Sequence, residues 1–252
     1  MISNQYIIRF SLLREKVESF NCYPFNLPAV HSLEFLELHP KVTYFVGDNG
    51  SGKSTLLEAI AVSMGFNPEG GTKNFKFGTR NSHSILHKFL RVAKGVKRPR
   101  DGFFLRAESF FNVATEIENL DAEPGFGPPV ITYYGGQSLH EQSHGESFLA
   151  LLMKRFGGNG LYLLDEPEAA LSPQRQLAAL ARIHDLVCDN SQFIIATHSP
   201  ILMAYPDAWI YQFTKDGVFR IEYKDTEHYQ ITRSFVMNPD GMLEKLLHGK
   251  VT

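Results

Sequence analysis

The sequence predicts an α/β protein built on a mainly parallel sheet with helices on both faces, and three observations lead there. Short apolar runs rich in β-branched and aromatic residues alternate with segments of helical periodicity. Two of those runs, "LYLLD" and "QFIIA", lack the polar alternate of a half-exposed strand, as strands buried on both faces do. The stretch "GDNGSGKST", residues 47 to 55, joins an apolar run directly to a helical pattern, giving strand, glycine loop and helix.

Taken in order, "YIIRFSLL", "SLEFLEL" and "KVTYFV" make the first 46 residues an N-terminal portion of strands. After the glycines, Leu56, Leu57, Ile60, Ala61 and Met64 share one helical face. Residues 65 to 84 read as loop, "DGFFLRAESFFNVA" as a strand running into a helix, and "DAEPGFGPP" as a break. "GESFLALLMKRF" is expected to be helical and "GLYLLDE" a buried strand. "SPQRQLAALARIHDLVCD" should be a helix capped by Ser172 with Pro173 at its first position, and "QFIIATHSP" a second buried strand. "AWIYQFTKDGVFRIEY" reads as a hairpin turning at Asp216 and Gly217, and "NPDGMLEKLLHG" as a terminal helix.

The chain has 252 residues, 43% of them apolar, enough for a substantial core. A formal net charge of -2 excludes a global pull toward nucleic acid or anionic membrane. Locally the balance differs: residues 73 to 100 carry nine Lys or Arg, among them Lys94, Lys97, Arg98 and Arg100, and no Asp or Glu. Such a run suits a solvated face or contact with a phosphate backbone, and Phe75, Phe77 and Phe89 interleave it. Cys22 and Cys188 sit in unrelated contexts, as ordinary thiols of a reducing compartment. Charges interrupt every apolar run, so direct membrane insertion is not expected and the expected location is cytoplasmic. His83 with His87, and His140 with His144, are spaced four apart but lack the rest of a zinc ligand set.

Gly47, Gly52, Lys53 and Ser54 fit G-x-x-x-x-G-K-[ST]. Glycines let backbone N–H groups reach phosphate oxygens, so Gly47, Asn49, Gly50, Ser51, Gly52 and Thr55 are read as a cradle. Lys53 supplies charge to the β- and γ-phosphates, and Ser54 offers its hydroxyl to Mg²⁺. The strand "LYLLD" delivers Asp165 to the same end of the sheet as a second metal ligand. Glu166 follows it, suited to orient or deprotonate an attacking water. His198, 32 residues beyond Glu166 on what should be the neighbouring strand, could bond the γ-phosphate or that water.

These elements, in this order, resemble the ABC-type P-loop ATPase superfamily: Walker A, Walker B with its adjacent Glu, and the switch-histidine loop. "DEPEAALSP" and "ATHSP" look most like its stand-alone AAA-like members, related to the chromosome-maintenance, RecF and overcoming-lysogenization-defect ATPases. The resemblance implies a small helical lobe and a signature motif of the LSGGQ kind. "SHGESFLALL" takes that place, with Ser143, Gly145 and Glu146 in the Ser, second Gly and Gln/Glu positions and His144 replacing the first Gly. "YGGQS" lies too far upstream. The implied single domain spans 1–252, with nucleotide-binding lobes at 1–110 and 150–252 and a signature lobe at 110–150.

The family's chemistry is Mg-dependent ATP binding and hydrolysis, with two ATP molecules sandwiched between two head-to-tail chains. Ser143 of one copy would cap the γ-phosphate held by the other. The coupled event is expected to involve DNA repair, phage defence or another protein partner. The alternatives are the ATP-binding subunit of a transporter and a nucleotide-sensing switch with little turnover. Ser172 stands where transporters carry the D-loop Asp. No Q-loop glutamine is present, leaving Glu108 in "FLRAESF" as the candidate, and Tyr23 or Phe25 is expected to stack on adenine.

Overall fold

A computed structural model describes residues 5–74, 84–108, 110–122, 128–134, 136–138, 140 and 144–248. The apolar runs form one six-stranded sheet in the order β5-β6-β7-β3-β8-β9, where β3 is Val42–Gly47, β5 Asp101–Arg106, β6 Gly160–Asp165, β7 Gln192–Ala196, β8 Ala208–Thr214 and β9 Gly217–Ile221. All neighbours pair in parallel except the β8–β9 hairpin. A three-stranded antiparallel sheet, β2-β1-β4, holds β1 (Ile7–Leu12), β2 (Phe35–Glu37) and β4 (Leu90–Lys94).

Strand periodicity divides the core between the two faces of the large sheet. Val42, Tyr44, Val46, Tyr162 and Leu164 point to one side, against helices α3 (Phe110–Ala122), α4 (His144–Ala150) and α5 (Pro173–Cys188). Phe45, Leu161, Leu163, Ile194 and Phe213 point to the other, against α2 (Lys53–Ser63) and the small sheet. Helix α2 is therefore buried nearly all round, and even Glu58 is enclosed. A short helix α1 (Pro28–His31) precedes β2, and α6 (Glu227–Met237) and α7 (Pro239–His248) close the chain. Among the described residues no helix is long and apolar enough to cross a membrane.

Several sequence expectations change. The first 46 residues hold a 3-10 turn at Arg14–Lys16 and the helix α1 as well as strands. The hairpin turns at Lys215 and Asp216, one residue earlier than expected, because Gly217 already pairs with Thr214. "GESFLALLMKRF" is not one α-helix: α4 gives way to a π-helical turn at Leu151–Arg155. Part of the basic stretch is the strand β4, paired to β1, with Lys88, Arg91, Lys94, Lys97, Arg98 and Arg100 exposed on or beside it. Residues 75–83 of that stretch, Phe75 and Phe77 among them, lie outside the described residues.

Candidate functional site

The site forms where β3, β5, β6 and β7 end, the side on which parallel sheets bind ligands. Beyond β3 the backbone turns through positive φ at Gly47 (141°), Gly50 (78°) and Gly52 (101°), and Gly52 starts α2. At Gly47 an added Cβ would lie 2.3 Å from the Phe213 carbonyl oxygen, so only glycine lets the loop leave the sheet there. Ser51 Oγ is buried in the loop without a hydrogen-bond partner, and Asn49 is exposed. Lys53 is buried and donates to the carbonyls of Gly47 (2.7 Å) and Asp48 (2.8 Å). Burial lowers its pKa, against the opposing pull of Glu166 and Asp165.

Ser54 Oγ donates to Asp165 Oδ1 at 2.8 Å, joining α2 to the end of β6. Burial pushes the Asp165 carboxyl up to about 6, with Arg106 and the Ser54 hydroxyl pulling the other way. A desolvated carboxylate beside a hydroxyl fits a hard, oxygen-seeking cation. Among the described residues no group of three His, Cys, Asp or Glu could hold a metal by itself. That donor set suits an ion such as Mg²⁺, which takes its remaining ligands from phosphate and water.

Glu166 sits at φ 52°, in the left-handed region, with its backbone N–H bonded to the Ala196 carbonyl of β7. Its Oε1 is 3.7 Å from His198 Nε2. Asp165 and Ala196 are paired neighbours on β6 and β7, which brings Glu166 and His198 together. A cavity of about 420 Å³ opens here, lined by Tyr23, Asn49, Gly50, Lys53, Ser54, Thr55, Glu108 and Glu166 among others. Tyr23 is exposed at its edge, its hydroxyl 3.4 Å from Thr55 Oγ1. Phe25, the other aromatic candidate, is a core residue packed edge-on against Phe89, so its ring cannot meet a base.

Of the expected signature residues, Gly145 and Glu146 lie among the described residues. Ser143 and the His144 side chain lie outside them. Gly145 packs so tightly that an added Cβ would lie 2.3 Å from the Ala170 carbonyl oxygen, and Glu146 pairs with Arg175 on α5 at 3.1 Å.

Three residues escaped the sequence reading. Arg106, ending β5, lies 2.6 Å from Glu58, 3.6 Å from Glu108 and 3.7 Å from Asp165. Half-buried Glu168 accepts from Thr197 Oγ1 (2.7 Å) and from the His198 backbone N–H (2.5 Å), fixing the loop after β7. Burial raises its pKa, and those two hydrogen bonds oppose the shift. His228, on α6, lies 3.0 Å from His198. "DEP" followed by an acid at 168 gave a signal for the second; neither of the others stands in a motif.

An AAA domain family matches residues 16–106, and a second match at 132–204 is to a family whose description pairs an AAA domain with the names AbiEii toxin and Type IV TA system. Structural maintenance of chromosomes protein 6B of Arabidopsis thaliana is 29% identical over 148 residues, 59% of this chain and 11% of that protein. The DNA replication and repair protein RecF of Colwellia psychrerythraea is 64% identical over 25 residues, 10% of this chain and 7% of that protein. The chain thus spans only a small part of these relatives' length. Among solved structures, a metal-chelate-type ABC transporter in an inward-facing conformation superposes with TM-score 0.51 at 15% identity, covering 90% of this chain and 88% of that one. The cbiO1 protein of Clostridium perfringens, part of the transporter complex cbiONQ, gives 0.50 at 16% identity, covering 93% and 96%. At those identities the likeness is one of fold. With the glycine loop, Asp165 and the two sequence relatives, it makes the chain a P-loop ATPase-type domain of ABC fold, related to the chromosome-maintenance and RecF proteins.

Proposed function

We propose that the protein binds ATP with Mg²⁺ in the Gly47–Thr55 cleft and hydrolyses it as a head-to-tail dimer. The observation that carries this reading is the Ser54–Asp165 contact, an oxygen pair held at the mouth of a glycine cradle beside a buried lysine. The loop N–H groups and the start of α2 receive the phosphates, and Lys53 would exchange its carbonyl partners for β- and γ-phosphate oxygens. Ser54 and Asp165 would hold Mg²⁺, which supplies charge neutralisation at the phosphates. Glu166 orients the attacking water and accepts its proton, while His198 donates to the γ-phosphate. Tyr23, exposed at the cleft edge, offers its ring to adenine. Ser143, Gly145 and Glu146 of a second copy would complete the site from across the dimer, as the family resemblance implies.

The turnover is proposed to serve an event on DNA. The sequence relatives favour that reading, and six exposed basic side chains on and beside β4 offer a contact for phosphate backbone. The likeness to transporter cassettes is one of fold and supports no membrane partner.

The test is ATPase rate and mass in solution for wild type and Glu166→Gln, with and without single- and double-stranded DNA at two salt concentrations. Hydrolysis by wild type alone, with an ATP-dependent dimer of Glu166→Gln, is the expected result. ATP binding without turnover in wild type would replace the enzyme by a nucleotide switch. Absence of both binding and dimer would overturn the proposal, and a rate indifferent to DNA would remove the DNA reading alone.

A further inference from the structure

His198 does not stand alone in the cleft. Its Nδ1 lies 3.0 Å from Nε2 of His228, which α6 brings in from near the end of the chain. The first turn of α6 is held for this purpose. Buried Thr226 caps the helix by accepting from the Tyr229 N–H, its hydroxyl donates to the Tyr223 carbonyl, and the Tyr223 hydroxyl donates to the Pro200 carbonyl just after His198. The remaining nitrogen of each ring, His198 Nε2 and His228 Nδ1, is buried without a hydrogen-bond partner. Burial, then the nearby Lys53, lowers the pKa of both imidazoles, so the neutral tautomers are the forms to compare near neutral pH.

Two neutral imidazoles in this contact share one hydrogen, and it can belong to either ring. If His198 Nδ1 carried it, the bare lone pair of His198 Nε2 would face the Glu166 carboxylate at 3.7 Å, and His228 Nδ1 would be a buried N–H without an acceptor. If His228 Nε2 carries it, His198 Nε2–H faces that carboxylate. The only unmatched group is then a lone pair on His228 Nδ1, which is less costly to bury than an orphaned donor.

We propose that His228 is a positioning residue whose Nε2–H, donated to His198 Nδ1, locks His198 in the Nε2–H tautomer and so aims a donor at Glu166 and the phosphate end of the cleft. The proposal rests on the reading of His198 given above only for its kinetic consequence. The tautomer itself is a property of the protein without nucleotide. It also ties α6 to the site, since displacing that helix removes the donor that sets the tautomer.

The experiment is long-range ¹H–¹⁵N correlation NMR of the full chain labelled at histidine, with His198 assigned through His198→Gln. Wild type is expected to show the Nε2–H pattern at His198. His228→Phe, which keeps a ring but no donor, should give mixed tautomers, and His228→Gln, whose amide can donate, should keep the wild-type pattern. In steady-state ATPase, His228→Phe should lower kcat by about tenfold with KM for ATP little changed, and His228→Gln should recover most of the loss. A wild-type His198 in the Nδ1–H or doubly protonated form overturns the proposal, as does a tautomer unmoved by His228→Phe. Should His228→Phe not fold, loss of the Nε2–H pattern in His228→Gln overturns it and retention supports it. If wild type hydrolyses no ATP, the proposed function fails while the NMR outcome still decides the role of His228.

Discussion

Ser54 Oγ and Asp165 Oδ1, 111 residues apart in the chain, meet at 2.8 Å where the first turn of α2 faces the end of β6. Burial disfavours the charge on this carboxylate and pushes its pKa up to about 6, against the pull of Arg106 and of the Ser54 hydroxyl. An unfolded Asp titrates near about 3.9, so between those values the folded chain binds the proton more tightly. Stability of the nucleotide-free protein therefore falls as pH rises through that window, and the full penalty persists above it. Asp165→Asn keeps a side chain that can bond Ser54 without the charge. It should raise the unfolding free energy at pH 7 by about 2 kcal/mol and change it little below about pH 3.5. ATPase activity should fall by at least about a hundredfold in the same variant. Denaturant unfolding at the two pH values reads the first effect, and equal stability of both proteins at pH 7 would refute the assignment of the shift to burial.

Gly47 and Gly50 both adopt positive φ, yet they should respond differently to alanine. At Gly47 the new Cβ meets the Phe213 carbonyl oxygen at 2.3 Å, and Phe213 cannot retreat because it is the paired neighbour of Gly47 on β8. At Gly50 nothing lies within 4 Å, so only the backbone preference is violated. Gly47→Ala is expected to destabilise by about 3 kcal/mol. Gly50→Ala should cost about 1 kcal/mol and weaken nucleotide binding through loop shape. Urea midpoints that rank the two variants the other way round would contradict this account.

Glu166 holds its catalytic candidate side chain on a left-handed backbone, a conformation that costs a non-glycine residue about 1 kcal/mol. Asn tolerates that region better and cannot act as a base. Glu166→Asn should therefore unfold at higher denaturant than wild type while losing turnover. A variant less stable than wild type would mean that the side chain, near His198, contributes more to folding than the strained backbone withdraws.

The six-stranded sheet was legible because its inner strands are apolar throughout and its helices carry clear starts, as Ser172 and Pro173 show at α5. The glycine loop between β3 and α2 was legible because its residues are contiguous. What sequence missed has one physical cause: the partner lies far away in the chain. The strand β4 is hidden among charges because only alternate side chains face the core, and it forms by pairing with β1. His228 and Arg106 sit in unremarkable local contexts and acquire meaning only when α6 and β5 bring them to residues elsewhere. The choice between Tyr23 and Phe25 needed burial, which two nearby aromatics do not reveal by type.

Arg106 is the cation on which three carboxylates converge, and its removal tests how the cleft is held together. Its Nη1 lies 2.6 Å from Glu58 Oε2 and 3.3 Å from the Pro68 carbonyl, while Glu58 Oε1 accepts from the Ser84 N–H at 2.9 Å. Glu58 is 6% exposed, so it cannot turn to water when the guanidinium goes. Breaking a buried pair from one side leaves an uncompensated charge, and Arg106→Met should destabilise by about 3 to 5 kcal/mol. Adding Glu58→Gln removes the stranded charge while keeping an acceptor for Ser84. The double variant should recover about 1 to 3 kcal/mol of that loss. Arg106 also pulls the Asp165 pKa down, so without it the proton should leave Asp165 at higher pH than in wild type, extending the pH range over which stability declines. Equilibrium unfolding of both single variants and the double variant closes the cycle. Additive effects would show that Arg106 and Glu58 act independently, and the loss in Arg106→Met would then have to come from Asp165.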